Sequence, residues 1–433
     1  MTAATTRTHE PSPWFGQPRG LTILFLTNMW EQFSYYGMRA LLVYYMTKEL
    51  LIGQNASSLI YGTYTSCAYF TPIVGGVIAD RYLGKRRAII IGASTMAAGH
   101  FMMTFHGLFY PALATIALGN GLFLPSLPSQ IDDLYAADDP RRAWAYNVYY
   151  VGVNVGGFLA PLACGTLGEL YGWHYGFGAA GIGMLAGLLI YLWGQRYLPP
   201  ERPRTARTAP VERGQFDRTT VLLLVAVALS VTVFRGAYEQ VGNTVALWID
   251  VGVDRHVGGH SIPMTWFQSL NSLLVMVMTP PLLAAWKRRA DAGRVASPTR
   301  KMATGALIVA GAYLLLGAID WSDAGMRAGW LWLVLFFVIL TLGELFILPT
   351  GLGLFARLAP AGQGATTVAA WFLTIFSGSL FAGIVGTLWG RVPHADYFLL
   401  LAALGVLAAV LLRSADPLWR RIERDQAAAT ENL

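Results

Sequence analysis

Charge is scarce in this chain: Asp, Glu, Lys and Arg supply only 13% of its 433 residues. Soluble domains carry about 25%, so a soluble globular class is excluded. Cysteine is nearly absent. Cys67 and Cys164 both fall within long apolar stretches, which leaves no disulfide framework. His, Cys, Asp and Glu do not recur at metal-ligand spacing, and no Walker motif or nucleophile elbow is present. The chain is therefore expected to hold no metal or cofactor, to use no ATP and to be no enzyme. No short apolar segment ends in a cleavage site, so residues 1–17 read as a polar tail before an uncleaved first helix.

Apolar residues are plentiful. They make up 55% of the chain, and mean hydropathy is +0.47. Segments of about 20 apolar residues cross a bilayer. Twelve such stretches occur, near 21–46, 58–79, 88–107, 109–134, 143–167, 174–197, 219–250, 261–284, 300–320, 329–357, 364–389 and 394–413. An all-α membrane protein is expected. The formal charge of +7 reflects topology and not nucleic acid binding. About 25 Lys and Arg fall on the side of the amino terminus, about four on the other, and Arg39 and Arg235 lie within spans, which places both termini in the cytoplasm.

Residues 198–217, LPPERPRTARTAPVERGQFD, are the one long Pro- and Arg-rich stretch. They divide the chain into a tail (1–17), a six-helix half (18–197), a linker (198–217), a second half (218–413) and a polar tail (414–433). The stretch GGVIADRYLGKRR (75–87) resembles the cytoplasmic loop between helices two and three of the major facilitator superfamily. There Asp80 ends a helix, Gly84 turns the chain, and Arg81, Lys85, Arg86 and Arg87 are available to acidic groups or helix carboxyl ends.

On the first span Asn28, Glu31, Gln32, Tyr35 and Arg39 recur at three- and four-residue spacing and share one helix face. A charge at membrane depth persists where it pairs, meets water or works. The stripe is therefore expected to line a central aqueous cavity, the plainer alternative being a hydrogen-bonded seam between helices. Glu239 lies deep in the seventh span with Arg235 four residues before it, a helical ion-pair spacing. Glu344 is an acid in mid-span of the tenth. His100 is a lone intramembrane histidine with no evident partner.

Further stretches resemble the proton-dependent oligopeptide transporter (POT, or PTR2) family. They are GNGLFLPSLPSQIDDLYAADDPRR (119–142), YNVYYVGVNVGGFLAPL (146–162), FRGAYEQVGN (234–243), IPMTWFQSLNSL (262–273), GELFILPTGLGLFARLAP (343–360) and WFLTIFSGSLFAG (371–383). The resemblance implies a major facilitator fold of twelve helices in two six-helix bundles, in a bacterial inner membrane, and a monomer. It implies secondary transport of di- and tripeptides or peptide-like compounds by proton symport. A proton-independent facilitator or exporter, or a peptide sensor that does not transport, are the alternatives.

By the same resemblance, Glu239, with Glu31 in a secondary role, carries the coupling proton. Glu344, Asn154 and Asn271 take the peptide amino end and Arg39 its carboxylate, with Tyr35, Tyr69 and Trp371 around the ligand. Arg39 also pairs with Glu239 near the outer gate, where Arg235 is expected to compete for the same carboxylate. Three charges of the family pattern are missing. The first-helix motif Glu-x-x-Glu-Arg-Phe-x-Tyr-Tyr-Gly has Asn28 for its first acid and Gln32 for its arginine, and Leu124 stands for the fourth-helix lysine. Fewer cations weaken the claim on a free carboxylate, so amidated peptides or peptide-like natural products join the expected cargo.

Overall fold

The computed structural model describes residues 16–136, 139–201, 214–322 and 327–431. Most of the 1–17 tail and of the linker lies outside these residues. The first half contains α1 (Arg19–Tyr44), α2 (Gln54–Ile78), α3 (Lys85–Met102), α4 (Phe109–Ser129), α5 (Arg141–Ala160) and α6 (Trp173–Gly194). The second contains α7 (Arg218–Tyr238), α8 (Trp266–Asp291), α9 (Pro298–Ser322), α10 (Trp330–Arg357), α11 (Gly364–Gly386) and α12 (His394–Ser414). Among the described residues, nine helical stretches meet both the length and the apolarity of a membrane span. The first three helices fall short on composition, α1 through its polar stripe and α3 through its Lys85-Arg86-Arg87 start.

The two halves repeat one packing scheme. In the first, α1 packs on α5 and α6, α3 on α4 and α6, and α2 on α4. In the second, α7 packs on α11 and α12, α9 on α10 and α12, and α8 on α10. Each contact recurs six helices later, which defines parallel repeats. Across the boundary, α2 meets α11 and α5 meets α8, the same relation in both directions. At the α2–α11 crossing, a Cβ on Gly62 would lie 2.5 Å from Gly383 Cα. Only glycine lets the backbones meet there.

One apolar core runs through both halves, from Leu41 and Tyr44 to Trp248 and Phe398. A second, with Leu24, Phe123 and Tyr191, belongs to the first half alone. At the tight turn after α2, Gly84 adopts φ 81°, a conformation that favours glycine. Lys85 then binds Asp133 at 2.6 Å and the Ser129 carbonyl at 2.8 Å. Arg86 donates to the Leu198 and Pro199 carbonyls, while its backbone N–H reaches Glu201 Oε1 at 2.6 Å. The basic loop thus anchors the start of the linker. At the linker's far end Asp217 caps α7, and the Thr219 N–H holds its carboxyl below the ordinary range.

Residues 414–433 are more than a polar tail. They include helix α13 (Asp416–Glu431), whose Trp419 and Ile422 are buried and whose Trp419 ring lies under the Arg357 guanidinium. Minor strands also occur in the loops, Val253–Asp254 with Ala328–Gly329 and His256–Val257 with His260–Ser261.

Candidate functional site

Helix α7 stops at Tyr238, and Glu239–Gly242 form a 3-10 turn before the helix Thr244–Gly252. Irregular backbone at membrane depth needs internal hydrogen-bond partners. Gln240 supplies them. Its amide donates to the Gly236 and Ala382 carbonyls, and its Oε1 accepts from Asn243 and Thr244. Glu239 therefore sits at a helix break, held by a buried polar network.

The Glu239 carboxylate joins the halves. Arg39 of α1 donates to its Oε2 at 2.5 Å, and Arg235 donates to its Oε1. The expected competition between the two arginines does not occur in this state, because each takes a different oxygen. Arg39 also donates to the Tyr61 hydroxyl at 2.8 Å and lies over that ring. Arg235 donates to Ser379 Oγ at 3.2 Å and lies over the Tyr69 and Tyr238 rings.

Lower on α1 the polar stripe turns into the first half. Asn28 donates to the Tyr149 carbonyl of α5 at 3.1 Å, a bond that a carboxylate cannot make. Gln32 donates to Glu31 Oε2 at 2.7 Å. Asn28 and Glu31 are each 1% exposed. The electrostatic neighbours of Glu31 include Tyr64 and Tyr149, again in the first half. Asn28 thus ties α1 to α5, while the Gln32–Glu31 bond stays within α1 itself.

Glu344 occupies a second cluster. Asn271 of α8 donates to it at 2.6 Å and to Thr341 at 3.2 Å, and Tyr238 also bonds it. Tyr36 and Tyr150 of the opposite half stand within its electrostatic reach, as do Arg39 and Arg235. Glu344, Asn271, Tyr36 and Tyr69 are half-buried and Tyr150 is exposed. Tyr35 is buried edge-on to Tyr36.

Of the other expected site residues, Asn154 joins this cluster through the Tyr150 side chain, whereas Trp371 lies off it. Asn154 donates to the Tyr150 carbonyl of its own helix at 3.0 Å. Trp371 is buried edge-on against Phe355. Leu124 is half-buried on α4 and adds hydrocarbon at the lysine position. His100 is fully buried, and among the described residues neither ring nitrogen has a hydrogen-bond partner.

Toward the carboxyl end of α1, further bonds tie the halves. Tyr44 donates to the Ala246 carbonyl, Lys48 pairs with Asp250 at 2.7 Å, and Ser58 meets Asn243. Glu169 accepts from the Met264 N–H at 2.8 Å, the Thr265 N–H at 2.9 Å and the Thr265 hydroxyl at 2.7 Å. A carboxylate of one half thus caps the amino end of α8 in the other, favourable for both charge and hydrogen bonding. Glu169, Tyr61 and Tyr238 escape a reading of the sequence. Tyr238 had a signal, since it adjoins Glu239; Glu169 and Tyr61 look like ordinary residues near span ends.

Comparison with known proteins bears on this geometry. Residues 86–213 and 206–400 match the pattern of a family described as the POT family, PTR2. The chain is 31% identical to an uncharacterized transporter, YclF, of Bacillus subtilis, over 94% of this chain and 95% of that one. It is 30% identical to the peptide transporter YePEPT of Yersinia enterocolitica, over 98% and 99% of the two chains. A crystal structure of the peptide transporter POT, a glutamate-to-glutamine mutant in complex with alafosfalin, superposes with a TM-score of 0.85. That pair is 28% identical and covers 95% and 97% of the two chains. The halves, their repeated packing and these likenesses agree on a major facilitator fold and a transporter rather than an enzyme. The chain belongs to the POT (PTR2) family of membrane transporters.

Proposed function

We propose that this protein moves short peptides, di- and tripeptides or peptide-like compounds, across the cytoplasmic membrane by alternating access coupled to protons. The observation that carries the reading is the two-sided hold on Glu239, by Arg39 of the opposite half and Arg235 of its own. Removing one partner of such a buried pair leaves a stranded charge at a cost of about 3–5 kcal/mol. A proton on Glu239 ends its attraction for both arginines and leaves their charges in need of another acceptor. Arg39 is then released from the opposite half and free to meet a substrate carboxylate. Glu31, enclosed in one half, has a secondary part in coupling.

The amino end of the substrate goes to Glu344 and Asn271, which already share a hydrogen bond facing Tyr36 and Tyr150, with Asn154 on the opposite half. Tyr35, Tyr69 and Trp371 shape the surrounding surface. Relatives named as peptide transporters, and a relative's structure with alafosfalin, support peptide-like cargo. All twelve long helices act as spans, with both termini cytoplasmic, and the working unit is a monomer.

A second reading keeps the fold and omits the proton. It is favoured by Asn28 and Gln32, which make neutral-donor hydrogen bonds where the family pattern has charges. Uptake of a dipeptide into liposomes, with and without an inward proton gradient, separates the two. Accumulation only with the gradient is expected. Uptake that ignores the gradient supports a facilitator or exporter, and binding without exchange supports a sensor.

A further inference from the structure

Away from the charged interior, a groove of about 560 Å³ opens between α9 and α12, at the ends of those helices next to α13. Two arginines stand at its mouth, Arg300 in the first turn of α9 and Arg413 in the last turn of α12. Ala303, Leu307, Ala409 and Val410 form its floor. Leu307 and Val410 are 53% and 58% exposed, so the protein itself leaves this floor uncovered. Leu307 lies seven residues beyond Arg300, about 10 Å deeper along the helix. The groove thus sets two arginines at one end of an apolar stretch about 10 Å long.

The arginines carry the polar recognition. The neighbouring hydroxyls are committed elsewhere, Thr304 to the Arg300 carbonyl and Ser414 to the Leu411 carbonyl. Arg300 donates through Nε to Asp416 Oδ2 at 2.9 Å, and Arg420 donates to the same oxygen. That link fixes the Arg300 guanidinium at the mouth and docks the start of α13 beside it. Arg413 is exposed at the rim.

We propose that this groove binds one anionic phospholipid, with its phosphate between Arg300 and Arg413 and an acyl chain along Leu307 and Val410. Basic pockets between membrane helices favour such headgroups, and each basic residue near an anionic lipid contributes about fivefold in affinity. The occupant is a lipid and not free phosphate, because the apolar floor contributes only to a molecule with a chain.

Native mass spectrometry of the full chain in neutral detergent tests this, with equimolar phosphatidylglycerol and phosphatidylcholine. The wild type should retain phosphatidylglycerol preferentially, and millimolar inorganic phosphate should not displace it. Arg413→Gln should lower phosphatidylglycerol retention about fivefold, the worth of one basic residue, and leave phosphatidylcholine unchanged. Leu307→Trp fills the trough without touching charge and should reduce retention of phosphatidylglycerol as well. Equal retention of the two lipids by the wild type, wild-type retention by Arg413→Gln, or displacement by phosphate alone overturns the proposal. A self-associated dimer that excludes lipid from the groove overturns it too.

Discussion

Two stretches of helix α1 treat charge differently. Toward its carboxyl end Arg39 crosses to Glu239, and a fully ionic contact holds one half to the other. Two turns lower, Glu31 faces Gln32, and Asn28 faces a backbone carbonyl, all within one half. Both regions are polar, yet only the first joins one half to the other. Charge kept across a moving boundary can couple to movement; charge enclosed within one half mainly fixes packing. The departures from the family pattern on α1 fall in the enclosed region and leave the crossing pair intact. This favours retained proton coupling over its loss.

The comparison breaks most sharply at Glu239. Glu239→Gln should reduce gradient-driven peptide accumulation in liposomes to background while exchange of labelled for unlabelled peptide continues. Loss of neither would remove Glu239 from the mechanism. Gly62→Leu should come next, because its side chain has no room against Gly383. Overpacking of this kind costs about 1–3 kcal/mol, and the expected outcome is a lower melting temperature with transport mostly lost. A variant with wild-type uptake would show that the α2–α11 crossing need not close.

Arg39→Ala should raise the apparent KM for free-carboxylate dipeptides about tenfold or more, the scale of one charged hydrogen bond. Dipeptide amides should be affected less, and equal damage to both would count against the carboxylate role. Glu169→Gln keeps the shape of the α8 cap but removes its charge. A cap of this type contributes about 0.5–2 kcal/mol. A several-fold rise in the outward-open population is expected from spin-label distances across the outer ends. Glu31→Gln should have the smallest effect, with accumulation kept within about threefold given the weak net worth of one hydrogen bond. A loss as large as that of Glu239→Gln would erase the distinction between the two stretches of α1.

Much of this is legible in the sequence because it is local. Apolar lengths mark the helices, the Pro- and Arg-rich stretch at 198–217 marks the two halves, and the cost of intramembrane charge picks out Arg39, Arg235, Glu239 and Glu344. The direction in which the α1 stripe faces is not legible. Periodicity groups Asn28, Glu31 and Gln32 with Arg39, but only the folded chain brings Asn28 onto the α5 backbone and Arg39 onto Glu239. Pairings between distant residues are equally hidden. Glu169 meets Thr265 and Gly62 meets Gly383 only after both halves have folded, and neither pair has a local signature. The break at Glu239–Gly242 is hidden for another reason: residues 219–250 are continuously apolar enough to read as one helix, and the Gln240 network that stabilises the break is tertiary.

The most direct measurement of the central claim is the distance between the outer ends of α2 and α11, followed by spin labels as pH is lowered. Acidification should lengthen that distance in the wild type, since a proton on Glu239 frees Arg39. In Glu239→Gln the distance should already be long and insensitive to pH. A Glu239→Gln variant that stays closed at neutral pH and opens with acid as the wild type does would contradict the account.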